Sequence, residues 1–343
     1  TLTVPAPGVL GNDSDDENDP ITARKLTDPT RGALSFNTNG SFSFTPNADT
    51  QTCATPPPAA GISFTEPLGI ESNFPNIIAA GVRGLAKGDF NQDGFLDLAV
   101  TGNPALAGAA WRIWLVLGNG DGTFQAPVVL QNFTTDLRPS GILAKDVDGD
   151  CKLDLFVAVE LAKQVLFFKG RGDGTFDASV PTTLTQSPAS LQSADVNGDS
   201  NLDLVTLNSF VSTENSVTVL LGNGNGTFQS PVNYPAGTQL SDMALGDVNG
   251  DNAPDIVVGS SLGSSNLSVL LNTNTGSGAF AAAQPFPVKM SVSSLYLADF
   301  NRDTKLDVVL GGALCEWTGP NPSGEPLSPV TGCMTFIPGA GDG

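Results

Sequence analysis

Five short stretches of the chain concentrate carboxylates at one fixed spacing: GDFNQDGFLDLAV from Gly88, KDVDGDCKLDLFV from Lys145, ADVNGDSNLDLVT from Ala194, GDVNGDNAPDIVV from Gly246 and ADFNRDTKLDVVL from Ala298. Counted from the first aspartate of each, positions 1, 3, 5 and 9 are Asp89, Asn91, Asp93 and Asp97 in the first loop, and Asp146, Asp148, Asp150 and Asp154 in the second. The third offers Asp195, Asn197, Asp199 and Asp203, the fourth Asp247, Asn249, Asp251 and Asp255, and the fifth Asp299, Asn301, Asp303 and Asp307. Alternate residues of a tight loop can turn their oxygens towards one centre, and a backbone carbonyl at position 7 can add another. An all-oxygen set of that size suits calcium, which accepts flexible distances, better than magnesium. An EF-hand would need a Glu at position 12 and flanking helices, and neither is present. The competing reading is that the aspartates only make Asx turns. Against it, three or four converging carboxylates repel one another strongly without a cation. Calcium, up to five ions, is therefore the expected cofactor. The second loop, with four carboxylates, is expected to bind best, and the fifth, which carries Arg302 and Lys305, less well. Because each loop recurs at the same place in a repeat, the expected role is structural.

The rest of the composition narrows the chemistry further. Histidine is absent from all 343 residues, so no Ser-His-Asp or Cys-His arrangement and no His-ligated zinc site can be built within the chain. The expectation is a protein that is not an enzyme, with no catalytic residues. The formal charge of −20 repels nucleic acid and anionic lipid, which need cations from the protein, but it attracts divalent metal. Sixteen of the 35 acidic residues fall in the five loops, which separates them from a merely solvated surface. No apolar run is long enough to span a bilayer, so membrane insertion is not expected. Thr1 does not read as an initiator and no signal peptide is visible, so a processed chain, or part of a longer one, is expected.

Cysteines at 53, 151, 315 and 333 are too dispersed for a zinc site built of close CxxC pairs. Cys315 and Cys333 flank a Pro/Gly-rich excursion that a disulfide would staple at its base. Cys53 with Cys151 is the remaining pairing, and free buried thiols are the alternative. Asn12, Asn39, Asn132, Asn225 and Asn266 each open an Asn-x-Ser/Thr sequon, either a glycosylation site or an accident of a chain rich in these residues. Arg171-Gly172-Asp173 occupies a repeat turn and reads as a turn variant. Trp111, Trp114 and Trp317 could stack on sugars, but isolated aromatics at strand positions read first as packing.

The elements that position the loops are short strands. The loops start at Asp89, Asp146, Asp195, Asp247 and Asp299, with spacings of 57, 49, 52 and 52. A second motif alternates with them: LVLGNGDGTF at 115–124, LFFKGRGDGTF at 166–176, VLLGNGNGTF at 219–228 and VLLNTNTGSGAF at 269–280. Each unit reads as an apolar run, a Gly/Asn hairpin turn, an outer strand, the acidic loop and a buried strand such as DLAV or DIVV. Multi-strand repeats of this length belong to propellers. Ser63-Phe64 opens the first unit as Thr123-Phe124, Thr175-Phe176, Thr227-Phe228 and Ala279-Phe280 open the others. The units are then about 63–122, 123–174, 175–226, 227–278 and 279–343, and position 343 leads in register into a start like position 63. Either the ring closes by docking its last strand beside its first, or further blades follow.

These units resemble FG-GAP or VCBS-type repeats, the propeller repeats found also in integrin α-subunits and many bacterial surface proteins, and the resemblance covers the span 63–343. It implies the same structural calcium role for the loops. Propellers of that family often have seven blades, so five is a departure. Residues 1–50 are similar to the bacterial cadherin-like or Ig-like repeats of large adhesins, on Gly8-Val9-Leu10, Asn12-Asp13, Asp19-Pro20 and the run from Gly40 to Pro46. No strand precedes Thr1, and a Pro-rich linker at 51–62 stands where that pattern expects a final aromatic strand. A sandwich fragment this small with open edges is a poor independent fold and calls for completion by an intramolecular strand, by packing onto the propeller, or by a strand donated by a neighbouring subunit. Asp13, Asp15, Asp16, Glu17 and Asp19 form either a linker calcium site or an acidic turn.

The expected fold is all-β: a β-propeller of five repeat units behind a small N-terminal Ig-like fragment. The expected function is a non-enzymatic, extracellular or cell-surface structural subunit of bacterial type, in a fibre or adhesive assembly that self-associates head to tail. The alternative is a monomeric module that binds a glycan or protein ligand.

Overall fold

A computed structural model describes residues 2–6, 22, 32–39, 41–46, 81–103, 110–133, 137–208, 215–261, 267–288, 290–313 and 333–340. The described residues are strands, turns and bends, with no helix among them. The chain divides into two compact units, Thr1–Ala59 and Ala60–Gly343.

The first unit holds one antiparallel sheet of β1 (Leu2–Val4), β2 (Gly32–Phe36) and β3 (Phe42–Pro46) in the order β1-β3-β2. Its hairpin closes through the Asn37 amide on the Ser41 carbonyl, while Asn39 Oδ1 accepts from the amide and hydroxyl of Ser41.

Among its described residues the second unit holds five antiparallel meanders. Sheet one contains β4 (Val82–Gly88), β5 (Asp97–Gly102), β6 (Trp111–Val116) and β7 (Val128–Phe133). Sheet two contains β8 (Pro139–Lys145), β9 (Asp154–Val159), β10 (Gln164–Phe168) and β11 (Val180–Thr183). Sheet three runs through β12 (Pro188–Ala194), β13 (Asp203–Asn208), β14 (Ser216–Leu220) and β15 (Val232–Pro235). Sheet four runs through β16 (Leu240–Gly246), β17 (Asp255–Ser260), β18 (Leu267–Leu270) and β19 (Gln284–Phe286). Sheet five contains β20 (Ser291–Ala298), β21 (Asp307–Ala313) and β22 (Cys333–Ile337), three strands among the described residues.

Burial along each meander follows composition. The second strands β9, β13 and β17 are buried at every position, which is why DLFVAV, DLVTLN and DIVVGS are apolar without alternation. The fourth strands are exposed and carry Pro181, Pro235 and Pro285, residues that an outer edge tolerates because it needs no further ladder partner. Each first strand is bulged near its start, between Val82 and Gly84, Pro139 and Ile142, Pro188 and Ser190, Leu240 and Asp242, and Val292 and Ser294. The bulge frees polar groups that reach the next sheet. Thr101 Oγ1 donates to the Ser140 carbonyl at 2.6 Å, Ser241 Oγ to Val292 at 2.7 Å, and the Leu295 amide to Asp242 Oδ2 at 2.8 Å.

Consecutive sheets pack face to face, β4 on β8, β8 on β12, β12 on β16 and β16 on β20. One core joins Ile113 and Leu115 of sheet one to Leu155, Val157 and Phe168 of sheet two. The next joins Phe156 and Phe167 to Leu204 and Leu220, the third Val205 and Val219 to Met243 and Ile256, and the fourth Val257 and Leu267 to Val292 and Leu310. Each incoming sheet also inserts the phenylalanine of its hairpin turn. Phe176 meets Phe90 at 5.8 Å between centroids, Phe228 meets Phe156 at 5.6 Å, and Phe280 meets Tyr234 at 5.6 Å.

The sheets are out of phase with the units read from sequence. The Thr-Phe pair that opens each unit lies at the turn between third and fourth strands, seen as the isolated bridges Gly118–Phe124, Gly170–Phe176, Gly222–Phe228 and Asn272–Phe280. A sheet thus takes three strands from one unit and its fourth from the next.

Candidate metal centre

Every acidic loop joins the first and second strands of its sheet, at the same end as the hairpin turn between the third and fourth. Its backbone is left-handed at positions 4 and 6: Gln92 and Gly94, Gly149 and Cys151, Gly198 and Ser200, Gly250 and Asn252, Arg302 and Thr304. That alternation curls the amides of the loop inward onto the first aspartate. Asp247 Oδ1 accepts from Gly250 (2.7 Å) and Asp251 (3.1 Å), and its Oδ2 from Asn252 (2.7 Å). Asp146, Asp195 and Asp299 repeat the same three contacts, and Asp89 takes the amides of Asp93 and Gly94.

The middle of each loop folds on itself. Position 5 accepts the amide of position 7, as Phe95 to Asp93 and Asn201 to Asp199. Asn91, Asn197, Asn249 and Asn301 donate their side-chain amides to Asp93, Asp199, Asp251 and Asp303 over 2.8 to 3.2 Å. The aspartates therefore do make turns, and the inward amides supply part of the positive potential the carboxylates need.

Position 9 has a function that its sequence spacing did not reveal. Asp97, Asp154, Asp203, Asp255 and Asp307 have no exposed surface. One oxygen of each accepts the amide of loop position 2, from Phe90, Val147, Val196, Val248 and Phe300. The other accepts the first amide of the hairpin turn, from Gly118, Gly170, Gly222, Asn272 and Gly339, at 2.7 to 2.8 Å. This carboxylate pins loop to hairpin. Burial raises the carboxyls of Asp97, Asp203 and Asp255, and pushes Asp154 up to about 6, with the loop's own aspartates adding to it. Asp307 is held low, chiefly by the Gly339 amide.

The second loop gathers its carboxylates most tightly: ligand oxygens of Asp146, Asp148 and Asp154 all lie within 4.8 Å of one another. The Lys169 ammonium, from the hairpin turn, bonds Asp148 and lies 3.4 Å from Asp150. Leu117, Leu221, Leu271 and Pro338 stand at that place in the other turns, so an ammonium supplied from the turn is particular to this loop. In the fifth loop Lys305 Nζ donates to the Ala340 carbonyl. An all-oxygen set with no nitrogen or sulfur donor, closing a buried carboxylate against two or three others, fits a hard cation of calcium's kind. In the first four loops each oxygen of the position 9 aspartate, and Oδ2 of the position 1 aspartate, keeps a second lone pair beyond the one amide it accepts.

Other candidate residues fall as follows. Cys151 sits at position 6 of the second loop, left-handed at φ 63. Cys53, Cys315, the Cys333 side chain, Asn12, Asn266, Trp317 and the N-terminal acidic run at 13–19 lie outside the described residues. Asn39, Asn132 and Asn225 are exposed. Asn225 Oδ1 accepts from the amide and hydroxyl of Thr227, as Asp121 does from Thr123, so this sequon is a copy of the repeat turn. Arg171 and Asp173 likewise serve their turn, pairing with Asp177 and Thr175. Trp114 is core, while Trp111 is half-buried beneath the Arg83 guanidinium, 5.2 Å from its ring centroid. That guanidinium also bonds Glu160 at 2.7 Å, an ion pair across 77 residues that sequence reasoning missed. Burial raises the Glu160 carboxyl in spite of Arg83 and Arg138, and its Oε2 is buried without a hydrogen-bond partner.

Repeated antiparallel meanders with an acidic loop between their first two strands define an all-β, propeller-like repeat protein. A model of the FG-GAP-like repeat matches residues 89–157, 146–206, 207–258 and 247–310, and one of the bacterial Ig domain matches residues 1–59. The chain belongs to the FG-GAP-like repeat family, with a bacterial Ig domain at its N-terminus. No curated protein matches it. Among solved structures it is similar to an Agrocybe aegerita lectin described for specific recognition of non-reducing terminal N-acetylglucosamine, at 19% identity and a TM-score of 0.43, over 69% of this chain and 64% of the lectin. The Photorhabdus luminescens Tc holotoxin pore matches at 20% identity and a TM-score of 0.37, over 66% of this chain and 11% of that one. A periplasmic gluconolactonase of Pseudomonas aeruginosa matches at 16% identity and a TM-score of 0.43, over 73% of this chain and 72% of that one. The chain thus spans less than two thirds of the lectin and a small part of the toxin.

Proposed function

We propose that this chain is a non-enzymatic extracellular structural protein, a calcium-stabilised propeller of five blades acting as a subunit of a surface fibre or adhesive assembly. The observation that carries this reading is the sameness of the loops. Each is built at one place in its sheet, with the same left-handed positions and the same clamp of position 9 onto the hairpin. A catalytic centre is singular, whereas a feature repeated in every sheet acts on the scaffold. FG-GAP-like repeats beside a bacterial Ig domain support a surface or adhesion role, and no helix among the described residues is long and apolar enough to cross a membrane. Up to five calcium ions would be held by positions 1, 3, 5 and 9 of the loops. Bound there, the cation supplies charge compensation that lets the carboxylates stay ionised while they hold the loop closed.

In this reading subunits join head to tail by strand donation, a role that suits the small N-terminal sheet, which has three strands among the described residues. Negative-stain imaging in millimolar calcium and after chelation tests the assembly. Filaments that fray in chelator support it, and discrete particles in both conditions sink it. The second reading, a monomeric glycan- or protein-binding adhesion module, draws on the Arg83, Trp111 and Glu160 cluster, where a stacked ring and a buried carboxylate oxygen stand together. Discrete particles that retain a glycan on a screen would favour it.

A further inference from the structure

The second loop departs from the other four at two residues, and the two departures meet. Position 3 of the other loops is Asn, whose Oδ1 accepts the amide of position 5 and whose Nδ2 donates to Oδ2 of the position 5 aspartate. Asn197 makes the second bond to Asp199 at 2.9 Å, and Asn249 to Asp251 at 3.2 Å. Asp148 keeps the first contact, accepting the Asp150 amide on Oδ1 at 3.3 Å. It cannot make the second, because an ionised carboxylate has no proton to give. Lys169 supplies the missing donor. Its ammonium bonds Asp148 Oδ2 and lies 3.4 Å from Asp150 Oδ2, so it joins position 3 to position 5 as the side-chain amide does elsewhere. Lys152 Nζ, from position 7, stands 3.6 Å from the same Asp150 oxygen.

Packing around the turn explains how a lysine comes to this place. Leu117 and Leu221, its counterparts in the first and third turns, lie against the turn of the following sheet. A Cβ on Gly174 would stand 3.6 Å from Leu117, and one on Gly278 2.5 Å from Leu221. Between sheets two and three Phe167 makes that contact instead, its ring 2.2 Å from a Cβ on Gly226. Residue 169 is thereby spared from packing and turns to the loop. Its backbone is held on both sides, since Phe168 is buried and the Gly170 amide is clamped by Asp154. Seating the ammonium therefore orders the lysine side chain alone.

We infer that the Lys169 ammonium is the second loop's own cation, holding the loop closed without metal and giving way when calcium binds there. Asp148 and Asp150 are two of the four residues assigned to calcium in this loop, and an oxygen of each is engaged by the ammonium. A divalent ion sharing those carboxylates would have a second cation beside it, and like charges at that range repel. The extra carboxylate at position 3 and the extra ammonium in the turn are thus one device. The second loop is closed in both states, and calcium uptake frees a lysine at the surface of sheet two. This inference rests on the calcium reading above and names the residue that sets the second loop apart within it.

Amine acylation of the full chain, read by mass spectrometry, tests the displacement, with Lys163 at the far end of sheet two as internal reference. In chelator Lys169 is expected to react about fivefold more slowly than in Asp148→Asn, and calcium is expected to raise the unmodified protein's rate about fivefold. Hydrogen exchange at the Asp150 and Cys151 amides, which bond Asp146, tests the closure. In chelator Lys169→Leu is expected to speed that exchange. Adding Asp148→Asn, which rebuilds the Asn and Leu pair of the third loop, is expected to slow it again. A Lys169 rate that calcium leaves unchanged, in protein that loses one calcium on Asp146→Ala by calorimetry, would overturn the displacement. Loop exchange indifferent to Lys169→Leu would overturn the closure. Protein that takes up no calcium at any loop would remove the calcium reading and the displacement with it, while the exchange data still decide the closure.

Discussion

Asp255 has no exposed surface and spans two amides, those of Val248 and Asn272, one on each of its oxygens. Hydrogen bonds to a charged acceptor contribute about 1.5 to 3 kcal/mol each, and stranding buried donors adds its own penalty. Asp255→Ala is expected to destabilise by about 3 to 5 kcal/mol in urea unfolding, and Asp255→Asn, which keeps one acceptor, by about 2 kcal/mol. Equal losses would mean that the amides find other partners. The same burial fixes the sign of a pH effect. An acid whose folded pKa is raised stabilises fully below its unfolded value of 3.8, and that contribution is lost as pH rises through the folded value, about 6 for Asp154. Asp97, Asp203 and Asp255 shift the same way. Groups held low, such as Asp307, act below 3.8 and do not enter this window. Chelated protein should therefore melt higher at pH 5 than at pH 7, and calcium-loaded protein lower, because protonation competes with the cation. Melting curves of the same sign in both conditions would separate these carboxylates from the metal. Lys169 bears on affinity. Replacing it by Leu, the residue of neighbouring turns, removes a half-exposed ion pair worth about 1 kcal/mol and is expected to tighten calcium binding at the second loop about fivefold by titration calorimetry. The sequence expectation that four carboxylates make this the best loop did not anticipate that ammonium, because Lys169 is distant in the chain and belongs to the turn motif.

At the scale of the element, the loops and hairpin turns were legible from spacing alone, since an aspartate at a fixed interval and a Gly-Asn-Gly turn each encode local backbone geometry. What spacing could not supply is the pairing between them. The position 9 aspartate read as one more ligand, and only the approach of the hairpin turn shows it closing two elements together. The phase of the sheets was hidden for a similar reason. Thr-Phe marks the start of a sequence repeat, but hydrogen bonding places it inside a sheet. The bulge in every first strand has no signature beyond a polar or small residue. Two elements make sharp predictions. Thr304 is a β-branched residue held left-handed at φ 72, at a place where the first loop has Gly94. Thr304→Gly is expected to stabilise the fifth loop by about 1 kcal/mol in chelator, since the relieved backbone strain exceeds the entropy cost of glycine. Gly226 lies at φ 80 in the third hairpin turn, and a Cβ there would stand 2.2 Å from the Phe167 ring of the preceding sheet. Gly226→Ala is expected to cost about 2 to 3 kcal/mol, combining backbone strain with overpacking of a fixed ring. A loss below 0.5 kcal/mol, measured by denaturation, would show that the sheets slide apart without resistance.

For the molecule as a whole, stability must be uneven along the array, because each sheet is held mainly by its two neighbours. Sheets two, three and four each have both faces covered, and the middle strands β9, β13 and β17 are buried throughout. Among the described residues sheet five has three strands, packs on sheet four and carries an exposed aromatic row of Tyr296, Phe300 and Phe336. Hydrogen exchange of the single chain in chelator should therefore be slowest in β9 and β13 and fastest in β21 and β22, since local opening is favoured where fewer apolar contacts are lost. Calcium acts on this gradient through binding linkage. At dissociation constants of about 10⁻⁴ to 10⁻³ M, 10 mM calcium stabilises each occupied loop by about 1.4 to 2.7 kcal/mol. That gain arises wherever a loop ties its first two strands to the hairpin, so protection should rise in all five sheets and leave the order unchanged. Exchange that is uniform along the chain would mean that the fifth sheet is held as firmly as the middle three.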